Sequence, residues 1–105
     1  MTRTLGDVAT RLLFENDRVR VWEMDLAPGE SSSVHEHTLD YLLIQLEGDK
    51  IAGIFEEDTH GDYPPGVVEG DVAYGNVFYT TKGGVETAKN TGKQHYREFL
   101  VELKD

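Results

Sequence analysis

The chain has 105 residues, 38% of them hydrophobic and 10% aromatic, which excludes a disordered segment and sets the expectation of one domain, 1-105, around one modest core. Twenty acidic against ten basic side chains leave a formal net charge of -10, a balance that disfavours nucleic acid and anionic membrane surfaces as partners. There is no cysteine, so disulfides and thiolate chemistry are excluded together, and any metal must sit on His, carboxylate or Tyr.

In chain order, the first residues lack the apolar run of a secretory leader, and the longest apolar stretch, Tyr41 to Leu46, is too short to cross a bilayer as a helix. A cytoplasmic protein is the expectation. Asp7 to Glu15 places Val8, Arg11, Leu12 and Glu15 at helical spacing and predicts a short N-terminal helix. From Arg18 to Leu26 the apolar phase shifts between Val19 and Val21 on one parity and Trp22, Met24 and Leu26 on the other, which predicts a strand with a bulge near Val21 and Trp22.

Beyond Pro28-Gly29 lies His35-Glu36-His37. Two histidines two residues apart on a strand point to the same face with their Cα atoms roughly 6.5 Å apart, so both rings can converge on one ion. Tyr41 to Leu46 is apolar on both faces, with Tyr41, Leu43 and Gln45 on one and Leu42, Ile44 and Leu46 on the other. Such a strand needs a cover on each side, from a second sheet within and a second copy outside, so a homodimer is expected. Glu56 to Asp62 reads as a charged hairpin loop holding a solvated His60. Turn signals then recur at Pro64-Pro65-Gly66, Glu69-Gly70-Asp71, Lys82-Gly83-Gly84 and Asn90-Thr91-Gly92. In the last strand, after an exposed His95, Phe99, Val101 and Leu103 share a face and Glu98 and Glu102 alternate with them, the pattern of a half-buried strand with its acids outside. The many short strands give an all-β class. Neither a phosphate-binding glycine loop nor a nucleophile elbow is present, and the basic residues form no stripe.

With these residues in view, the chain resembles the cupin superfamily of small jelly-roll barrels. Its first motif, Gly, five residues, His-x-His, three or four residues, Glu, six residues, Gly, is matched by Gly29, His35, His37 and Gly48, with Tyr41 standing in the place of the Glu. The second, Gly, five residues, Pro-x-Gly, two residues, His, three residues, Asn, is matched by Gly75, Gly83 and Asn90, with Thr81 replacing the Pro and Glu86 the His. The resemblance covers roughly Arg18 to Leu103. It implies a double-stranded β-helix whose interior holds a divalent metal ion, of Fe, Mn, Ni or Zn type, on His35, His37 and Glu86. Glu86 would complete a two-His, one-carboxylate set, which leaves coordination positions open for a substrate.

Within that frame Tyr41 and Glu86 are the candidate catalytic residues, and Gln45, Tyr41 and Met24 the candidate substrate contacts, Met24 and Trp22 being core residues first. The function implied is a metal-dependent enzyme acting on a small molecule inside the barrel, as an oxygenase of Fe(II)-dioxygenase type ahead of an isomerase, lyase or hydrolase. The alternative is a non-enzymatic small-ligand binder with a degenerate metal site, since two of the family's four ligand positions are changed.

Overall fold

The computed structural model describes residues 3–105. Nine strands follow in order: β1 (Arg11–Glu15), β2 (Val19–Leu26), β3 (His35–Glu36), β4 (Tyr41–Glu47), β5 (Lys50–Phe55), β6 (Gly66–Asp71), β7 (Val77–Thr80), β8 (Val85–Lys89) and β9 (Tyr96–Leu103). They form a five-stranded sheet in the order β1-β2-β9-β4-β7 and a four-stranded sheet in the order β3-β8-β5-β6. Every paired ladder is antiparallel. The inner faces meet on a core that includes Trp22, Met24, Leu26, Tyr96 and Leu100. Among the described residues no helix is long and apolar enough to cross a membrane.

Two of the motif glycines show why the turns fall where they do. Gly48 (φ +130°) joins β4 to β5, and a Cβ there would meet the Tyr96 ring at 2.9 Å; Gly83 (φ +112°) packs against the backbone of His60. Both positions combine a left-handed backbone with no room for a side chain, a pairing only glycine satisfies. Asn90, fully buried, donates from Nδ2 to the carbonyls of Leu26 (3.0 Å) and Gln94 (2.8 Å), so the motif asparagine pins the end of β8 to β2.

Three expectations from the sequence are corrected. The predicted N-terminal helix is absent: Arg11–Glu15 is strand β1, paired on β2, while Val8 and Ala9 reach the core from an irregular approach. A nine-residue helix with so narrow an apolar stripe is marginal alone, whereas the exposed edge of β2 satisfies the backbone of β1 residue by residue. The bulge lies in β1, not β2. The β1–β2 register shifts between Leu12 and Phe14, opposite Val21 and Trp22, whereas β2 runs along β9 without a break from Val19 to Leu26. The apparent phase shift in β2 arises because Trp22, Met24 and Leu26 face the core while Val19 and Val21 lie on the outer face, Val21 in line with Phe14 and Val101 on the neighbouring strands.

The third correction concerns β9, whose faces are inverted. Tyr96, Glu98, Leu100 and Glu102 are buried inside, and Phe99, Val101 and Leu103 lie on the outer face. Register forces this, since Glu98 stands opposite Met24 and Gln45, and Glu102 opposite Arg20 and Tyr41. Buried acids of this kind need partners. Glu102 accepts from Trp22 Nε1 at 2.7 Å and from the Arg20 guanidinium at 3.3 Å, and Glu98 accepts from the Tyr96 hydroxyl.

The displaced apolar residues complete an outer surface. Cross-strand partners Phe14, Val21, Val101, Leu42 and Tyr79 form one apolar row over all five strands of the larger sheet, with Phe99, Ile44 and Val77 beside it. Elsewhere, β6 and β7 end their respective sheets and share no ladder, and every residue of β6 is exposed.

Candidate metal centre

Strand β3 is only two residues long, yet it fixes the geometry of the centre. His35 is the direct cross-strand partner of Glu86 on β8, and β3 is extended past Glu36 by two further bonds, His37 N to Gly84 O and Gly83 N to His37 O, both 2.8 Å. The three side chains therefore project to one side. His35 Nε2 lies 3.8 Å and His37 Nε2 3.9 Å from Glu86 Oε1, and one ligand atom from each residue lies within 4.8 Å of the other two. Both histidines are 1% exposed.

These separations are too long for direct hydrogen bonds. Ligand atoms at about 2.1 Å from a tetrahedral ion stand roughly 3.4 Å apart, so the two imidazole–carboxylate separations are near a coordinated spacing, while the group as a whole, spread over up to 4.8 Å, must draw together further to hold one cation. The protonation pattern agrees. His35 Nδ1 lies 2.8 Å from the Ser33 carbonyl, an arrangement in which Nδ1–H donates and leaves the Nε2 lone pair facing Glu86. Burial, with His37 close by, lowers the His35 pKa from its ordinary value and favours the neutral, ligating ring. His37 Nδ1 is buried with no hydrogen-bond partner among the described residues. The donor set thus fits a divalent ion.

Tyr41, at the start of β4, stacks on His37 with ring centroids 4.1 Å apart and planes 20° from parallel. Burial pushes its phenol pKa upward, with the Glu86 charge adding to the effect, so it is held as the neutral hydroxyl beside the centre. Gln45 lies further along the same face, but its amide is engaged: Oε1 accepts from Asn76 Nδ2 at 3.1 Å, and Nε2 reaches the Tyr96 hydroxyl at 3.5 Å. Met24 is 2% exposed and belongs to the core while touching the same space. His60 and His95 are on the surface, His60 at the Asp58 carbonyl and His95 against Asp25.

The three metal candidates and Tyr41, Gln45 and Met24 all line one cavity of about 210 Å³. Two further residues there, Tyr96 and Glu98, were not singled out from the sequence. The signal was present, because Tyr96, Glu98 and Leu100 alternate in phase with Gln45 across the ladder, but a reading by hydrophobicity assigned the acids to solvent. Glu98 is 3% exposed, and burial pushes its carboxyl pKa up to about 8.

No family model matches the chain. Auxin-binding protein 1 of Arabidopsis thaliana is 22% identical over 94 residues, covering 90% of this chain and 46% of the plant protein; auxin-binding protein T85 of Nicotiana tabacum is 24% identical over 94 residues, covering 90% and 50%. The chain spans about half the length of these relatives. Among solved structures, a cupin domain protein of Bordetella pertussis superposes over the whole of both chains with a TM-score of 0.77 at 20% identity. The chain has the cupin fold. An RmlC-like cupin with a double-stranded β-helix from Methanocaldococcus jannaschii matches 94% of each chain (TM-score 0.64, 17% identity), and a cupin superfamily protein of Desulfitobacterium hafniense matches all of this chain and 84% of its own (0.64, 21%). Within the cupin frame, His35, His37 and Glu86 are the group of His and acidic residues, among those described, that could hold an ion.

Proposed function

We propose that this cupin is a metal-dependent enzyme acting on a small molecule inside the barrel. The observation that carries this reading is the convergence of His35, His37 and Glu86 at the wall of a cavity large enough for a small organic substrate. A divalent ion held by two imidazoles and one carboxylate supplies Lewis-acid polarisation or, as Fe(II), access to dioxygen chemistry, with positions left free for substrate. The chain's own residues do the rest. Ser33 fixes the His35 tautomer, the apolar walls exclude water, and Tyr41 offers a hydroxyl proton donor beside the centre.

Elemental analysis of protein purified without a His-tag and loaded with Fe, Mn, Ni or Zn tests the reading. About one ion per chain is expected, with loss to background in His35→Ala and Glu86→Ala. Sub-stoichiometric metal in the wild type after loading would defeat it. A second reading, a ligand-binding protein without catalysis, is favoured by Tyr41, whose raised pKa makes it a poor fourth ligand.

Two copies pair as a homodimer through the row Phe14, Val21, Val101, Leu42 and Tyr79, because an apolar face crossing five strands is an interaction surface and a twofold axis makes one patch serve both partners. Light scattering at micromolar concentration should give twice the chain mass, and Val101→Glu should return the monomer; a monomeric wild type refutes the pairing.

A further inference from the structure

Apart from the two histidines, the charged residues that line the cavity are all acids: Glu69, Asp71, Glu86 and Glu98, with no Lys or Arg among the described residues. Lys50 pairs with Asp71 at 2.6 Å but does not reach the cavity lining. An anionic ligand away from the metal would therefore meet repulsion and find no cation to bind it. The acids are not equivalent. Glu69 and Asp71 are at the exposed edge strand, whereas Glu98 is buried in the inner wall of β9. Of the Glu98 oxygens, Oε1 accepts from the Tyr96 hydroxyl; Oε2 has no hydrogen-bond donor among the described residues. A buried carboxyl group with one oxygen unpartnered, on a cavity wall, is an acceptor awaiting a donor.

The surroundings favour one kind of donor. Tyr41, Phe55, Tyr63, Phe78 and Tyr96 contribute aromatic rings to the lining, and ring faces attract cations. We infer that the cavity selects a small organic amine, its ammonium group seated on Glu98 and its carbon skeleton lying among the rings. Burial favours the protonated carboxyl in the free protein, so an ammonium ligand seats as Glu98 gives up its proton to solvent, the cation alongside making the ionised form tolerable. Tyr96 acts as a positioning residue, orienting the carboxyl, while Gln45 backs Tyr96 at 3.5 Å and is itself held by Asn76.

The inference rests on the cavity being the ligand site, as proposed above, but needs no metal. Its test is a calorimetric titration of chelator-treated and metal-loaded protein with n-butylamine, 1-butanol and butyrate, probes alike in size and different in charge. The amine is expected to bind at least tenfold more tightly than either of the others in the chelator-treated protein, where no ion offers butyrate a ligand position. Glu98→Gln is expected to abolish that preference while leaving metal content unchanged. In that preparation, butyrate or butanol binding as tightly as the amine, or no detectable amine binding, overturns the inference on the wild type alone, whether or not the variant folds. Amine preference without metal loading would retain Glu98 as the anchor and remove the metal reading; metal loading without amine preference would do the reverse.

Discussion

The cavity has two polar regions built on opposite principles. At β3 and β8, three potential ligands face one another without hydrogen bonds between them, and the fold leaves their lone pairs free. Around β9 and β4, Glu98, Tyr96, Gln45 and Asn76 form a chain of contacts with one oxygen left over. The first region gains order from an added ion, whereas the second is already organised by protein. The contrast teaches that a buried polar group can be kept for binding by leaving it under-coordinated or by coordinating all of it but one atom.

The first region is tested by adding an ion. A divalent ion at a hundred times its dissociation constant stabilises the fold by about 2.7 kcal/mol. For a chain of this size that raises the melting temperature by roughly 10 °C or more. Differential scanning fluorimetry with Zn²⁺ or Mn²⁺ should show the rise in the wild type and none in His37→Ala; an equal rise in both would place the ion elsewhere.

The second region predicts a pH signature of opposite origin. Because the Glu98 pKa is raised from 4.5 to about 8 on folding, its contribution is fully present below about pH 4.5 and is lost as the pH climbs through 8. Urea denaturation should show wild-type stability falling relative to Glu98→Gln between about pH 5 and pH 8.5, by a few kcal/mol, since each tenfold change in proton affinity is worth about 1.4 kcal/mol. Parallel pH profiles for the two proteins would mean that Glu98 is solvated. The smallest effect is expected at the boundary between the regions. Tyr41→Phe keeps the ring that stacks on His37 and should cost under about 1 kcal/mol by thermal denaturation, since only a hydroxyl is removed.

Much of the first region was legible in sequence, because a His-x-His pair needs only the two-residue period of a strand to be placed. Glu86 required the further knowledge of which strand faces β3, which came from the resemblance to the second cupin motif carried by Gly75, Gly83 and Asn90. Tyr41 and Gln45 line the cavity from one face of β4, the face that alternation gives them in common, and Met24 lines it from β2 while belonging to the core. The β9 acids were misplaced for a physical reason. Phe99, Val101 and Leu103 look like the buried face by transfer free energy alone, and nothing in a single strand reveals that Tyr96 on the same face will partner Glu98 or that Trp22 and Arg20 will reach Glu102 from β2. Arg11–Glu15 was misread because helical spacing is a local property, while its strand is imposed by the open edge of β2.

The unjoined strands β6 and β7 bear on kinetics. Their sheet ends border the same space, with Val68 on one side and Phe78 on the other, both partly exposed. Opening this seam asks for rotation of a few side chains and breaks no backbone ladder, so access to the cavity should open on the nanosecond-to-microsecond clock of rotamers and loops, with no slow opening of the roll in its path.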